Sequence, residues 1–271
     1  MTDAFRDFEH AGWADPSVCA NYDDLLSGLV TQSIAPLLDS ARVAPGSVVL
    51  DVACGAGYAS GAALARGATV TGIDFSAEQV RLAARRFPDG TFVEADAGSL
   101  PFEAAHFDAV VCNYGVLHFS DPQQFFREAF RVLKSGGRLA FTVWEVPQQA
   151  KLFGAVLDAI GTHGALEVGL PAGPAMFQFA DAATSGKALA EAGFADCMST
   201  RVPQTWRAAS GEQVLRTVKT GMVRLRGTLQ RQRAEVLDAI DDAILFALEP
   251  FRTPGGYEVP MPAVLVAARR P

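Results

Sequence analysis

The chain is short of cysteine, of basic charge and of long apolar runs, and each shortage excludes a class. Its 4 cysteines, Cys19, Cys54, Cys112 and Cys197, fall at no paired spacing, so neither a zinc cage nor a disulfide framework is indicated and no metal is expected. Lysine and arginine number 23 against 30 acids, for a net charge of -7; nucleic acid is therefore not the expected partner, since phosphate binding draws its affinity from clustered cations. No apolar run approaches the roughly 20 residues of a membrane span. The opening Met-Thr-Asp-Ala-Phe-Arg-Asp has no basic segment leading into an apolar core, so the expected location is cytoplasmic. No internal repeat or low-complexity tract occurs. With 271 residues, 49% hydrophobic and 20% charged, the composition is that of a soluble globule with a full core.

What is present centres on Ser47 to Ser60. Val48 to Val52 read as a strand buried on both faces of a parallel sheet. Gly55 and Gly57 then permit a sharp turn and a close approach of ligand to backbone, and the small residues Ala59 to Ala65 open a helix. A strand, a glycine loop and a helix N-terminus together form a place where backbone amides receive an anionic group. The glycines do not complete a dinucleotide fingerprint: Gly55 and Gly57 are followed by Ser60, with Gly61 one place late.

The acid Asp51 before Ala53-Cys54-Gly55-Ala56-Gly57 resembles motif I of the class I S-adenosylmethionine-dependent methyltransferases, Asp-x-Gly-Cys-Gly-x-Gly. Ala53 stands where the family has its first glycine, a small change provided that position keeps φ below zero. Further along, EADAGSLPFEAAHFDAVVCNYGVLHF, RVLKSGGRLAFTVWE and LAEAGF are similar to the later signatures of the ubiquinone and menaquinone biosynthesis type, Ser135 replacing the usual proline. The resemblance covers about Val48 to Val202 and the final strand.

It implies an α/β fold: a doubly wound, seven-stranded, mainly parallel sheet of the Rossmann-like methyltransferase kind. N-terminal helices and a helical insertion before the antiparallel last strand complete it. The expected division is 1–45 as an N-terminal helical cap, 46–209 as the cofactor-binding core, 210–250 as a lid and 251–271 as the last strand. The expected cofactor is S-adenosyl-L-methionine and the expected partner a small-molecule acceptor, with oligomeric state left open.

The residues carry their own readings within this frame. Asp74 ends the second strand, Ala68 to Ile73, where its two oxygens suit the hydroxyls of a ribose; the competing role is a helix cap for Ala77 to Phe87, open equally to Ser76. Asp96 and the Ala97 amide suit an adenine edge, with Phe75 packing nearby. The resemblance assigns the backbone around Asp51, Ala53, Gly55 and Gly57 to the cofactor and the strand end at Asn113 to its methionine moiety. It also assigns the Tyr22-Asp23 pair to an N-terminal helix closing over the cofactor. His118, just beyond the fourth strand, is the candidate general base, against a purely structural role.

The segment from the N-terminus to Val43 reads as helical, with Leu25 to Leu38 recurring at three and four. Leu170 to Phe179 reads as irregular. Ser210 to Leu248 reads as two amphipathic helices, and from Gln213 to Ala234 every charge is basic, which fits either an anionic acceptor or a solvated face. A nicotinamide-dependent oxidoreductase remains an alternative, because it uses the same glycine loop and Asp74, as does a catalytically silent S-adenosylmethionine-binding protein.

Overall fold

A computed structural model describes residues 3–271. In chain order the elements begin with α1 (Ala4–Trp13), α2 (Pro16–Val30), α3 (Ile34–Ser40), β1 (Val48–Val52), α4 (Tyr58–Ala65), β2 (Thr69–Asp74), α5 (Ala77–Arg86) and β3 (Thr91–Glu94). There follow β4 (Phe107–Asn113), α6 (Pro122–Val132), β5 (Leu133–Trp144), α7 (Lys151–His163), α8 (Ala182–Glu191), β6 (Ala195–Val202) and β7 (Thr205–Ala208). The chain ends through α9 (Gly211–Thr220), α10 (Val223–Gln230), α11 (Ala234–Leu248), β8 (Arg252–Thr253), β9 (Gly256–Pro260) and β10 (Ala263–Arg269). It divides into two compact units: Val30–Trp144, Gly173–Val202 and Ala263–Pro271 form an α/β unit, and the rest a largely helical one.

The α/β unit is built on the expected seven-stranded sheet, in the order β3-β2-β1-β4-β5-β10-β6. Strands β1 to β5 pair in parallel, and β10 runs antiparallel to both β5 and β6. The order reverses between β1 and β4, and ligands of such sheets bind outside the strand carboxyl ends at that point. Val49, Leu50 and Val52 are wholly buried, which is why β1 reads as an apolar run apart from Asp51. The α6 helix follows from an Asp121 cap and a proline in its first turn. It buries Phe125, Phe126, Ala129 and Val132 completely, and Phe126 lies against Phe141 of β5 and Phe179. Each phenylalanine so buried contributes on the order of 2 kcal/mol.

In the helical unit α7 and α11 bury Leu152, Phe153, Val156 and Ile160 with Ile240, Ile244 and Leu248. A three-stranded sheet, β7-β9-β8, belongs to the same unit; the sequence reading had no strand there. Trp206 of β7 donates its indole N–H to the Leu25 carbonyl at 3.0 Å, and Gln204 donates to that of Leu29 at 3.1 Å.

Two further local differences have plain causes. The N-terminal run is not continuous: the Asp15 carboxylate accepts from the Ser17 amide at 2.9 Å and its hydroxyl at 2.7 Å, starting α2 afresh with Pro16 in its first turn. Downstream, Ser33 donates to the Val30 carbonyl at 2.9 Å in a 3-10 turn that separates α2 from α3. The insertion holds three helices rather than two, because Gly221 ends α9 and the apolar stripe of Val214 and Val218 resumes in a separate α10 through Leu225 and Leu229.

Candidate functional site

The loop after β1 is left-handed at three of its residues: Ala53 at φ 54, Gly55 at φ 53 and Gly57 at φ 85. The expectation for Ala53 is therefore overturned. An alanine here bears a left-handed cost of roughly 1 kcal/mol that glycine avoids, held in place because the Cys54 amide is bonded to the Ile73 carbonyl at 2.9 Å. The late glycine also has a purpose. A Cβ at Gly61 would enter the Phe87 ring, so Gly61 sets the close packing of α4 that the third glycine of a dinucleotide loop provides.

Beneath the loop Asp51 is 1% exposed. Its Oδ2 accepts from the Ser60 hydroxyl at 2.6 Å, while its Oδ1 is buried with no hydrogen-bond partner. Burial pushes the carboxyl up to about 7; the Ser60 hydroxyl and amide pull it back, and the Asp74 charge adds a smaller upward push. Sequence reading missed Ser60. Its signal is its place in the first turn of α4, which turns a small polar side chain back toward the end of β1.

Asp74 closes β2 and accepts from the Gly55 amide at 3.0 Å and the Ser76 amide at 2.9 Å, one on each oxygen. Capping of α5 falls instead to Ser76, which accepts from the Gln79 amide. Burial raises the Asp74 carboxyl, opposed by the Ser76 and Gly55 amides and by the charge of His118. Phe75, beside it, is half-buried. Past β3, Asp96 accepts from the Gly98 amide at 2.7 Å, and Ala97 is buried. This loop is fastened by α6: Gln124 donates to the Gly98 carbonyl at 3.1 Å, Glu128 accepts from the Leu100 amide at 2.8 Å, and Arg131 reaches the Leu100 and Phe102 carbonyls.

At the end of β4 the Asn113 side chain is engaged within the fold. It donates to the Val30 carbonyl at 3.0 Å and accepts from Thr142 at 2.7 Å, with the Ser33 hydroxyl 2.9 Å from its oxygen. Tyr114 follows at φ 59, its amide on Thr142 Oγ1 at 3.1 Å and its ring stacked on Trp144 at 4.0 Å. Half-buried His118 closes the next 3-10 turn, its amide on the Gly115 carbonyl at 2.9 Å. Asp51, Ala53, Gly55, Gly57, Asp74, Phe75, Asp96, Ala97, Asn113 and His118 thus share the carboxyl ends of β1 to β4 and the loops that follow them.

Tyr22 belongs to the helical unit. There it meets Trp13 edge to face at 5.1 Å, and burial raises its phenol. The basic residues of the insertion are also accounted for inside that unit: Arg216 pairs with Asp24, Lys219 with Asp241, Arg224 with Glu9 and Arg226 with Asp15. Five of the six cations thus pair with acids from α1, α2, the turn between them and α11, Arg233 meeting Glu235 at 4.0 Å, which neither the anionic-acceptor nor the solvated-face reading anticipated. Among the described residues no helix is long and apolar enough to cross a membrane, and no group of three or more His, Cys, Asp or Glu stands ready for a metal ion.

Comparison with known proteins bears on the same region. Residues 50–141 match the family described as a methyltransferase domain. A demethylmenaquinone methyltransferase of Renibacterium salmoninarum is 36% identical over 111 residues, 41% of this chain and 47% of that protein. The chain spans about half the length of the first curated relatives it matches. Among solved structures, phosphoethanolamine N-methyltransferase 2 of Haemonchus contortus aligns at a TM-score of 0.61 and 19% identity, over 98% of this chain and 60% of that one. The [4+2]-cyclase SpnF aligns at 0.54 and 21% identity, over 88% and 81%. At such identities these structures establish the Rossmann-like methyltransferase fold and no particular reaction.

Proposed function

We propose that this chain, a class I methyltransferase by its fold and by the match over residues 50–141, binds S-adenosyl-L-methionine and transfers its methyl group to a small-molecule acceptor. One observation carries the reading: three carboxylates, Asp51, Asp74 and Asp96, stand at the carboxyl ends of three successive strands around a single left-handed glycine loop. A nicotinamide cofactor gives a use for the second of these and none for the first and third.

The residues fit the group. Asp51 presents a buried, unpartnered Oδ1 suited to an ammonium. Asp74 accepts the Gly55 amide on one oxygen and the Ser76 amide on the other, a carboxylate at the strand end suited to ribose hydroxyls. A Cβ added at Gly55 meets nothing within 4 Å, so that face of the loop is open to close approach. Asp96 and the Ala97 amide read the adenine edge, Phe75 packs beside it, and the Asn113 backbone takes the methionine end.

When bound, the cofactor supplies a sulfonium methyl group for direct displacement. The chain's own tasks are then to orient the acceptor in line and to set its protonation. His118, in the turn just past the end of β4, takes the acceptor's proton where the nucleophile is a phenol, enol or carbon acid. The name of the relatives makes demethylmenaquinone the first acceptor to try in a panel, with methylated product followed by mass spectrometry. The cofactor half of the reading is tested by calorimetry with S-adenosylmethionine and its demethylated product. Binding in the micromolar range is expected for at least one of them, and folded protein that binds neither sinks the reading.

A further inference from the structure

We propose that Ser60 is a positioning residue for the cofactor: its hydroxyl holds Asp51 ionised, with Oδ1 turned toward the ammonium of S-adenosylmethionine. The inference rests on the function proposed above and adds the group that makes Asp51 competent. The geometry is specific. Ser60 is wholly buried in the first turn of α4, and its Oγ lies 2.6 Å from Asp51 Oδ2, the length of a charge-assisted O–H···O⁻ bond. That bond occupies Oδ2 and leaves the other oxygen of Asp51, Oδ1, buried and unpartnered.

An ammonium bonds well to a carboxylate and poorly to a carboxylic acid. Asp51 stands where ionisation is costly, pushed up to about 7, so at neutral pH its charge state is decided by whatever donates to it. The groups around it leave that task to Ser60. From β2 the Asp74 charge opposes ionisation. The Cys54 thiol of the loop and the Cys112 thiol of β4 are held protonated by burial. From α4 no charged side chain faces it, since Tyr58–Ala65 contains none. The Ser60 amide also lowers the Asp51 pKa, but it survives every side-chain substitution, whereas the hydroxyl does not.

The test reads the charge state directly. In cofactor-free protein, the Asp51 carboxyl is followed from pH 5 to 9.5 by difference infrared spectroscopy against Asp51→Asn, and cofactor affinity is measured calorimetrically at pH 6.5, 7.5 and 9. Ser60→Ala should raise the Asp51 midpoint by about one pH unit. It should weaken binding roughly eightfold at pH 6.5 and about threefold at pH 7.5, and restore most of it at pH 9. Ser60→Thr, which keeps the hydroxyl, should follow the wild-type profile. A Ser60→Ala protein whose Asp51 midpoint is unmoved, or whose affinity falls equally at every pH, overturns the proposal and leaves Ser60 a packing residue. If Ser60→Ala does not fold, Ser60→Cys, with its weaker donor, must show the same shift at smaller amplitude, and a wild-type profile overturns the proposal as surely. Should wild-type protein bind no cofactor, the parent reading fails, whereas the infrared midpoint alone decides whether Ser60 sets the charge of Asp51.

Discussion

Replacing Asp51 by asparagine should stabilise the cofactor-free protein at alkaline pH while abolishing its cofactor affinity. The carboxyl is 1% exposed and is raised from 3.8 to about 7, so between those values the folded state holds a proton that the unfolded state has released. Stability of the wild type accordingly falls as pH rises across that window, by about 1.4 kcal/mol per unit for this group, and the loss is complete above pH 7. Summed over the window it is on the order of 4 kcal/mol. Asparagine is nearly isosteric, accepts from Ser60 and does not ionise. Urea denaturation of both proteins at pH 5 and pH 8.5 gives the double difference: the variant should gain at least about 2 kcal/mol on the wild type between the two. A double difference near zero, or one favouring the wild type at pH 8.5, refutes the argument that Asp51 is an ionisation held at a cost for binding.

The other expectations follow the same logic. Ala53→Gly relieves a left-handed φ of 54 at the expense of unfolded-chain entropy, for a net change between zero and about 1 kcal/mol in favour of the variant; Ala53→Val, β-branched at that φ, should cost more than about 2 kcal/mol, both read by chemical denaturation. His118→Ala should lower turnover of a carbon- or phenol-type acceptor about a hundredfold at saturation while cofactor affinity by calorimetry stays within twofold; unchanged turnover across the pH range removes His118 from the proton transfer. Arg224→Met deprives the buried Glu9 carboxylate of its ion pair at 3.1 Å while the Trp13 indole N–H stays on its other oxygen, and breaking a buried pair in this way costs about 3 kcal/mol in denaturation. The same variant should not alter preference among acceptors of different charge, which separates an internal ion pair from an anion-recognition surface.

The sheet and its ligand end were legible in the sequence because they rest on local regularities. Buried parallel strands are largely apolar runs, as at Val48 to Val52 and Ala109 to Cys112, with a polar residue at or next to the strand end: Asp51 in the first and Asn113 after the second. Asp74 and Asp96 were found from their places at strand carboxyl ends, and Asp51 and Asn113 from such places together with the resemblance to the methyltransferase signatures. Their partners were not found, because partners are chosen by distance in space. Nothing in the order of residues says that Asn113 gives its side chain to Val30, Ser33 and Thr142, or that Asp74 holds Gly55 while Ser76 caps the helix.

The helical additions show the same boundary more sharply. A stripe of apolar residues at three and four states that a helix exists but not where it stops, so Gly221 and the Asp15 cap divided what periodicity had joined. Charge bias proved equally blind. The arginines of the insertion looked unmatched within their own stretch because their counter-ions, Glu9, Asp15 and Asp24, lie about two hundred residues earlier. By itself the sequence determined where strands, glycine turns and strand-end acids fall, since those follow from burial periodicity and backbone sterics. Only the tertiary structure decided that Glu145–Ala172 clusters with the N-terminal helices and the insertion, and that Ala53 must be left-handed. It alone decided, too, that Asp51 has one oxygen bonded to Ser60 and the other buried without a partner, because burial and hydrogen bonding across a fold depend on which surfaces close over which groups.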